Sequence, residues 1–208
     1  MTTTIPDVRI KYAWLLANSA SVVMNEKWGD GTPLRSYDYY VGIAEKYRKW
    51  WQPHNDQVLH GICDIFGLEF RQNIIDVNVS PWFTQISDPM VIGPAFHSQD
   101  ALVNVLTHEI LHRLLTDNTT YDYEHNFIKD WKELFGAEHS KVTLVHIPVH
   151  AGMKKLYLDI LHRPDLLEMD IQTCQKYPAY AAAWKYVEEN GHDKVITKLT
   201  GLSLQSNS

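Results

Sequence analysis

Cysteine is scarce, with only Cys63 and Cys174 in 208 residues. They lie far apart in a chain that is not small, so no disulfide framework is expected and both read as ordinary buried thiols. A reducing, cytoplasmic location follows as the expectation, and with no cysteine pair near a histidine a thiolate zinc site has no support. Long apolar runs are missing too. No stretch approaches the roughly 18 apolar residues of a membrane span. The opening "MTTTIPDVRIKYAWLLANSA" lacks a basic leader region and is broken by Arg9, Lys11 and Asn18, so no secretory leader is expected. The formal charge is -6 without blocks of like charge, which argues against nucleic acid or an anionic membrane as a partner. Internal repeats and low-complexity segments are absent, and the oligomeric state leaves no trace in the sequence.

What remains is ordinary globular composition, 45% hydrophobic and 21% charged. The length suits a single domain over 1–208 with room for two lobes. Helical spacing of apolar residues begins at Tyr12 in "IKYAWLLANSASVVMNE" and returns in "SYDYYVGIAEKYRKWW" and "NDQVLHGICDIFGLEF", which predicts a mostly helical portion over 1–70. The period then changes. In "QNIIDVNVS", Ile75, Val77 and Val79 alternate with Asp76, Asn78 and Ser80, as in a half-buried strand, and "MVIG" is short enough for a second strand. Helices are predicted next over "SQDALVNVLTHEILHRLLTDN", with Ser98 or Asp100 as N-cap, over "YDYEHNFIKDWKELFG", and over "PVHAGMKKLYLDILHR" starting at Pro148. A C-terminal portion over 165–201 is also read as helical, with "YPAYAAAWKYVEENG" its clearest helix. The expected fold class is α+β, mostly helical, with a small sheet before the histidine-bearing helix.

That helix contains "HEILH". Two histidines four apart share one helical face, so His108 and His112 can direct ring nitrogens at one point, as two ligands of a single metal ion do. Glu109 stands about a quarter turn round, off that line but within reach of a water on the metal. Apolar residues surround the helix nearly all the way round, so the imidazoles are expected to point inward. The pattern arises by chance in roughly 3% of shuffled chains of this composition, which favours chemistry over accident.

The string His108, Glu109, Ile110, Leu111, His112 resembles the HExxH signature of the zincin metallopeptidase superfamily, and the resemblance covers about residues 74 to 162, the expected metal-site core. It implies a zincin-like domain with Zn2+ on His108 and His112 and with Glu109 as the general base for metal-bound water. The longer metzincin string is absent, since "RLLTDNTTYDYE" follows His112, so the comparison is with gluzincin-like members whose third ligand lies on a later helix.

Three residues compete for that third place. His150 lies inside the helix predicted from Pro148 and is the leading choice. His146, just before it, is a ligand or a supporting residue, and Glu124 faces inward from the helix over 122–135. Tyr157, His146 and Tyr123 are candidate donors to a developing oxyanion, and "DPMVIG" reads either as a core strand or as the edge of a peptide groove that Trp82, Phe83 and Phe96 would line. The expected function is a zinc-dependent metallohydrolase, a peptidase acting on a peptide or protein. The competing expectations are a zincin-like regulatory or interaction protein that keeps the metal without peptidase activity, and a metal-free scaffold in which the histidines pair with Asp117 or Glu124.

Overall fold

The computed structural model describes residues 5–28, 34–83, 85–119 and 127–205. The chain divides into two compact units, each assembled from separate stretches of sequence. One comprises Pro6–Asn55 and Gln72–Glu109; the other is built mainly of Asp56–Arg71 and Ile110–Ser208. The described structure is mostly helical with one small mixed sheet.

The first unit holds the sheet, whose strands β1 (Asp7–Tyr12), β2 (Ile74–Val79), β3 (Ile86–Ser87) and β4 (Met90–Ile92) stand in the order β1-β2-β4-β3. The alternation read from residues 75 to 79 is that of β2, where Ile75, Val77 and Val79 are buried. Strand β1 corrects the helical reading that began at Tyr12. It runs parallel to β2 from Asp7 opposite Ile74 to Tyr12 opposite Val79, and helix α1 (Trp14–Trp28) starts only afterwards. Val8, Ile10 and Tyr12 alternate with Asp7, Arg9 and Lys11, a period-2 signal that the helical reading passed over, and the partner that satisfies the strand's backbone lies far along the chain.

Of the two readings of "DPMVIG", the core strand is the one found and the exposed edge is not. Strand β4 lies between β2 and β3, and Met90, Val91 and Ile92 are all buried. Residues 86 and 87 fold back antiparallel, pairing Ile86 with Val91 and Ser87 with Met90, and so cover that edge. Helix α2 (Tyr37–Trp51) starts at Ser36, whose Oγ accepts from the Tyr39 amide, and its stripe Tyr40, Ala44, Tyr47, Trp51 is buried. Arg48 donates to the Ile10 carbonyl of β1 at 2.9 Å. Phe96 is held within the same unit, its amide donating to the Tyr47 hydroxyl and its ring edge-on to the Tyr47 ring.

The second unit is all helix: α3 (Asn55–Phe66), whose first residue closes the other unit, α5 (Phe127–Phe135), α6 (Lys141–Lys155), α7 (Pro164–Cys174), α8 (Pro178–Asn190) and α9 (His192–Gln205), with a π-helical turn at Leu156–Ile160. Helix α4 (Gln99–Thr119) is continuous across the boundary, which falls after Glu109, and is common to both units. Helix α6 corrects the start predicted at Pro148. Ser140 caps it, its Oγ accepting from the Thr143 amide at 3.1 Å, and Pro148 lies inside the helix. An interior proline costs about 3 kcal/mol. Burial of Leu144, Ile147, Val149 and Met153, at roughly 1.5–3 kcal/mol each, outweighs it.

Helix α6 packs against α5, α8 and α9. Small residues bring other chain segments close: a Cβ on Gly152 would stand 2.7 Å from the Phe66 ring of α3 and 3.2 Å from Leu111 of α4. The close approach expected from Ala151 and Gly152 is therefore real at Gly152. The C-terminal portion is helical as expected, in three helices. Among the described residues no helix is long and apolar enough to cross a membrane.

Candidate metal centre

Ser98 starts α4, its Oγ accepting from the Ala101 amide, and the helix is buried through Leu106, Ile110, Leu111 and Leu114. Because apolar residues occupy nearly every side, the few polar ones are carried inward with them. His108 and Glu109 are each 8% exposed. His112, one turn after His108, is half-buried.

Helix α6 supplies the facing imidazole. His146 Nδ1 lies 2.7 Å from the Val142 carbonyl one turn earlier, and a carbonyl only accepts, so Nδ1 carries the proton of the neutral ring. Nε2 of His146 is then a bare lone pair, and it faces His112 Nε2 at 3.2 Å. Two nitrogens bound tetrahedrally at zinc distances of about 2.05 Å stand roughly 3.3 Å apart, so the spacing suits two ligands of one ion. His108, His112 and His146 together offer ligand atoms that all lie within 4.8 Å of one another. The Tyr180 ring packs on His146 with centroids 4.0 Å apart.

The electrostatics keep these rings neutral. Although His112 keeps some exposed surface, the protein around its ring pulls its pKa down to about 3, with nearby His146 adding a smaller effect of the same sign. Burial also lowers His146, partly offset by its bond to Val142. Neutral imidazole is the form that binds metal. Glu109 moves the other way, pushed up to about 7 by burial. A carboxyl at that value is suited to exchanging a proton near neutral pH.

His150 stands one turn beyond His146 on α6, and it is fully buried. Its ring stacks on Trp184 with centroids 4.4 Å apart and planes 10° from parallel. It forms a second set with His108 and Asp170, again with ligand atoms within 4.8 Å of one another. Burial chiefly, then His146 and His112, holds His150 well below its usual pKa. The two histidines that competed for the third ligand position thus fall into different sets, His146 with His112 and His150 with Asp170.

Glu124 and Tyr123 lie outside the described residues. Tyr157 is fully buried in the π-helical turn, and Asp117, the carboxylate a metal-free scaffold would use, lies 3.1 Å from Arg113. Cys63 and Cys174 are free and buried, as expected.

Asp170 is the residue that sequence reading missed. A signal was available: on α7, Leu166, Leu167, Asp170 and Cys174 form one buried stripe, and a carboxylate sits in the middle of it. Its Oδ2 accepts from Trp184 Nε1 at 3.0 Å and from Cys174 Sγ at 3.4 Å. Burial raises its pKa to about 6, against the lowering effect of those two bonds.

No family model, characterised protein or solved structure matches the chain.

Proposed function

We propose that this protein is a zinc-dependent hydrolase of peptide bonds, with His108, His112 and His146 as metal ligands and Glu109 as general base. The observation that carries the reading is the meeting of His112 and His146 through Nε2 atoms at 3.2 Å, with the His146 proton on Nδ1 and donated to the Val142 carbonyl. A metal-free pair has no need of a third imidazole within 4.8 Å of both. Because His150 belongs with Asp170, the set has three protein ligands rather than a closed shell of four, and three ligands plus water is the catalytic arrangement. Zinc held there supplies Lewis acidity that lowers the pKa of a coordinated water to about 7. Glu109, next to the first ligand and off its line, takes the proton from the attacking water and passes it towards the leaving amine. The substrate is a peptide or protein, and two free thiols suit a cytoplasmic, reducing compartment.

A second reading, a metal-binding regulatory or interaction protein without turnover, draws on the burial of Glu109, which leaves little room for substrate. One experiment separates the two. Zinc content and peptide-library cleavage are measured for the wild type and for Glu109→Gln, which keeps side-chain volume and removes the base. The hydrolase reading expects about one zinc per chain in both, with turnover lower by about 10²- to 10⁴-fold in the variant. Equal turnover excludes Glu109 as base, and zinc binding without cleavage by either protein leaves the regulatory reading.

A further inference from the structure

Trp82, between β2 and β3, is held at a disadvantage in two ways. Its φ is +77°, the left-handed region that bulky side chains rarely enter. Its indole Nε1 is buried, and no protein group among the described residues accepts its hydrogen. A donor shielded from water without a replacement acceptor is destabilising. The neighbours impose the backbone strain. The Ser80 amide donates to the Ile92 carbonyl at the end of β4 at 3.0 Å, and the Ser80 hydroxyl donates to the Pro81 carbonyl at 3.0 Å. On the other side, the Phe83 carbonyl stands 3.6 Å from where a Cβ on Gly93 would be. The chain on both sides of Trp82 is thus pinned against the end of β4, and the left-handed turn joins the two anchors. The turn itself needs no indole, since glycine would make it at the lowest cost. A tryptophan kept there, with its N–H unsatisfied, points to a use for the side chain.

The donor's chemistry defines what it takes. An indole N–H is a single neutral donor. Pro81 and Phe83 flank it, and all three residues are half-buried, so part of the ring is reachable from solvent. A neutral oxygen suits such a site. An anion would have to give up its water for one uncharged partner, in a protein that already carries -6. Because β3 covers the edge of β4, a peptide cannot add there as a strand, and contact falls to side chains. We infer that Trp82 is a substrate-binding residue whose Nε1 donates to a backbone carbonyl of the peptide. A ligand approaches the half-exposed ring, a small side-chain rotation presents the N–H, and binding recovers the hydrogen bond that the free protein lacks. This inference rests on the peptide reading above.

The test compares the wild type with Trp82→Phe, which keeps an aromatic ring and removes the donor. For the best-cleaved member of a peptide library, KM is expected to rise about tenfold with kcat within about twofold, as for an interaction made equally in the ground and transition states. A second comparison locates the acceptor. The same peptide is made with one thioamide at a time, which weakens a single carbonyl as acceptor. At one position the thioamide is expected to raise KM about tenfold in the wild type and to add nothing in Trp82→Phe, the mark of direct partners. Unchanged KM in Trp82→Phe, a fall in kcat in its place, or thioamide losses equal in the two proteins overturns the inference and leaves the hydrolase reading standing. If no peptide is cleaved, fluorescence anisotropy with the fluorescein-labelled library replaces KM. Binding about tenfold weaker in Trp82→Phe then supports the inference without the hydrolase reading, and equal binding or none overturns it. Should Trp82→Phe fail to fold, benzothienylalanine at position 82, with sulfur in place of the N–H in the same ring system, makes the comparison.

Discussion

His146 spends its Nδ1 proton on the Val142 carbonyl one turn back on its own helix, and that single bond decides which nitrogen faces His112. His150, one turn further along, has different company in Trp184 and Asp170. The two residues therefore have separable effects. His146→Ala is expected to lower zinc affinity by more than the roughly 10- to 100-fold that loss of an outer partner causes, and His150→Ala to stay within that range. Chelator competition measures both; an equal loss, or a greater one in His150→Ala, would reverse the assignment of the third ligand.

At the scale of elements, the cluster depends on how closely α6 lies to α3 and α4. Gly152 makes that approach possible, because a Cβ there would meet the Phe66 ring at 2.7 and 2.9 Å. Phe66 is itself buried, so its ring has little space in which to retreat. Overpacking of this kind costs about 1–3 kcal/mol. Gly152→Ala is expected to lose about that much in urea unfolding and to weaken zinc binding as well. Gly61→Ala makes a milder comparison, since the atom it meets at 2.7 Å is the flexible end of Leu156. If Gly152→Ala unfolds at the wild-type midpoint, the packing constraint is absent.

For the molecule as a whole, stability at alkaline pH is set by buried neutral groups in both units. Burial pushes the Tyr47 hydroxyl up to about 12 and the Cys63 thiol up to about 11. Each is protonated more readily in the folded chain than in the unfolded one, where ordinary values are near 10 and 9. Their contributions are therefore complete below those ordinary values and are lost as pH rises, between 9 and 11 for Cys63 and between 10 and 12 for Tyr47. At about 1.4 kcal/mol per unit, each loss is roughly 1–3 kcal/mol. Tyr47→Phe gives up the bond from the Phe96 amide, so it is expected to be about 1 kcal/mol less stable than wild type at pH 9, with the gap narrowing by pH 11. Parallel pH profiles for the two proteins in urea unfolding would rule out Tyr47 as a contributor.

What the sequence determined by itself is local. A helix repeats every 3.6 residues, so the order His108, Glu109, His112 within an apolar run already puts two imidazoles on one side, inside the protein, with a carboxylate a quarter turn away. The alternation of Ile75, Val77 and Val79 likewise announces β2. Tertiary structure decided everything that joins distant stretches. Strand β1 pairs with β2 more than sixty positions along the chain, and although Val8, Ile10 and Tyr12 alternate with Asp7, Arg9 and Lys11, nothing local says which strand will lie beside them. The start of α6 turned on Ser140 and on burial strong enough to carry Pro148 through, where propensity alone put the boundary at the proline. The choice between His146 and His150 could not be read from spacing, because residues four apart on a helix share one face. Only the side chains that meet that face, His112 at one turn and Trp184 with Asp170 at the next, tell the two apart.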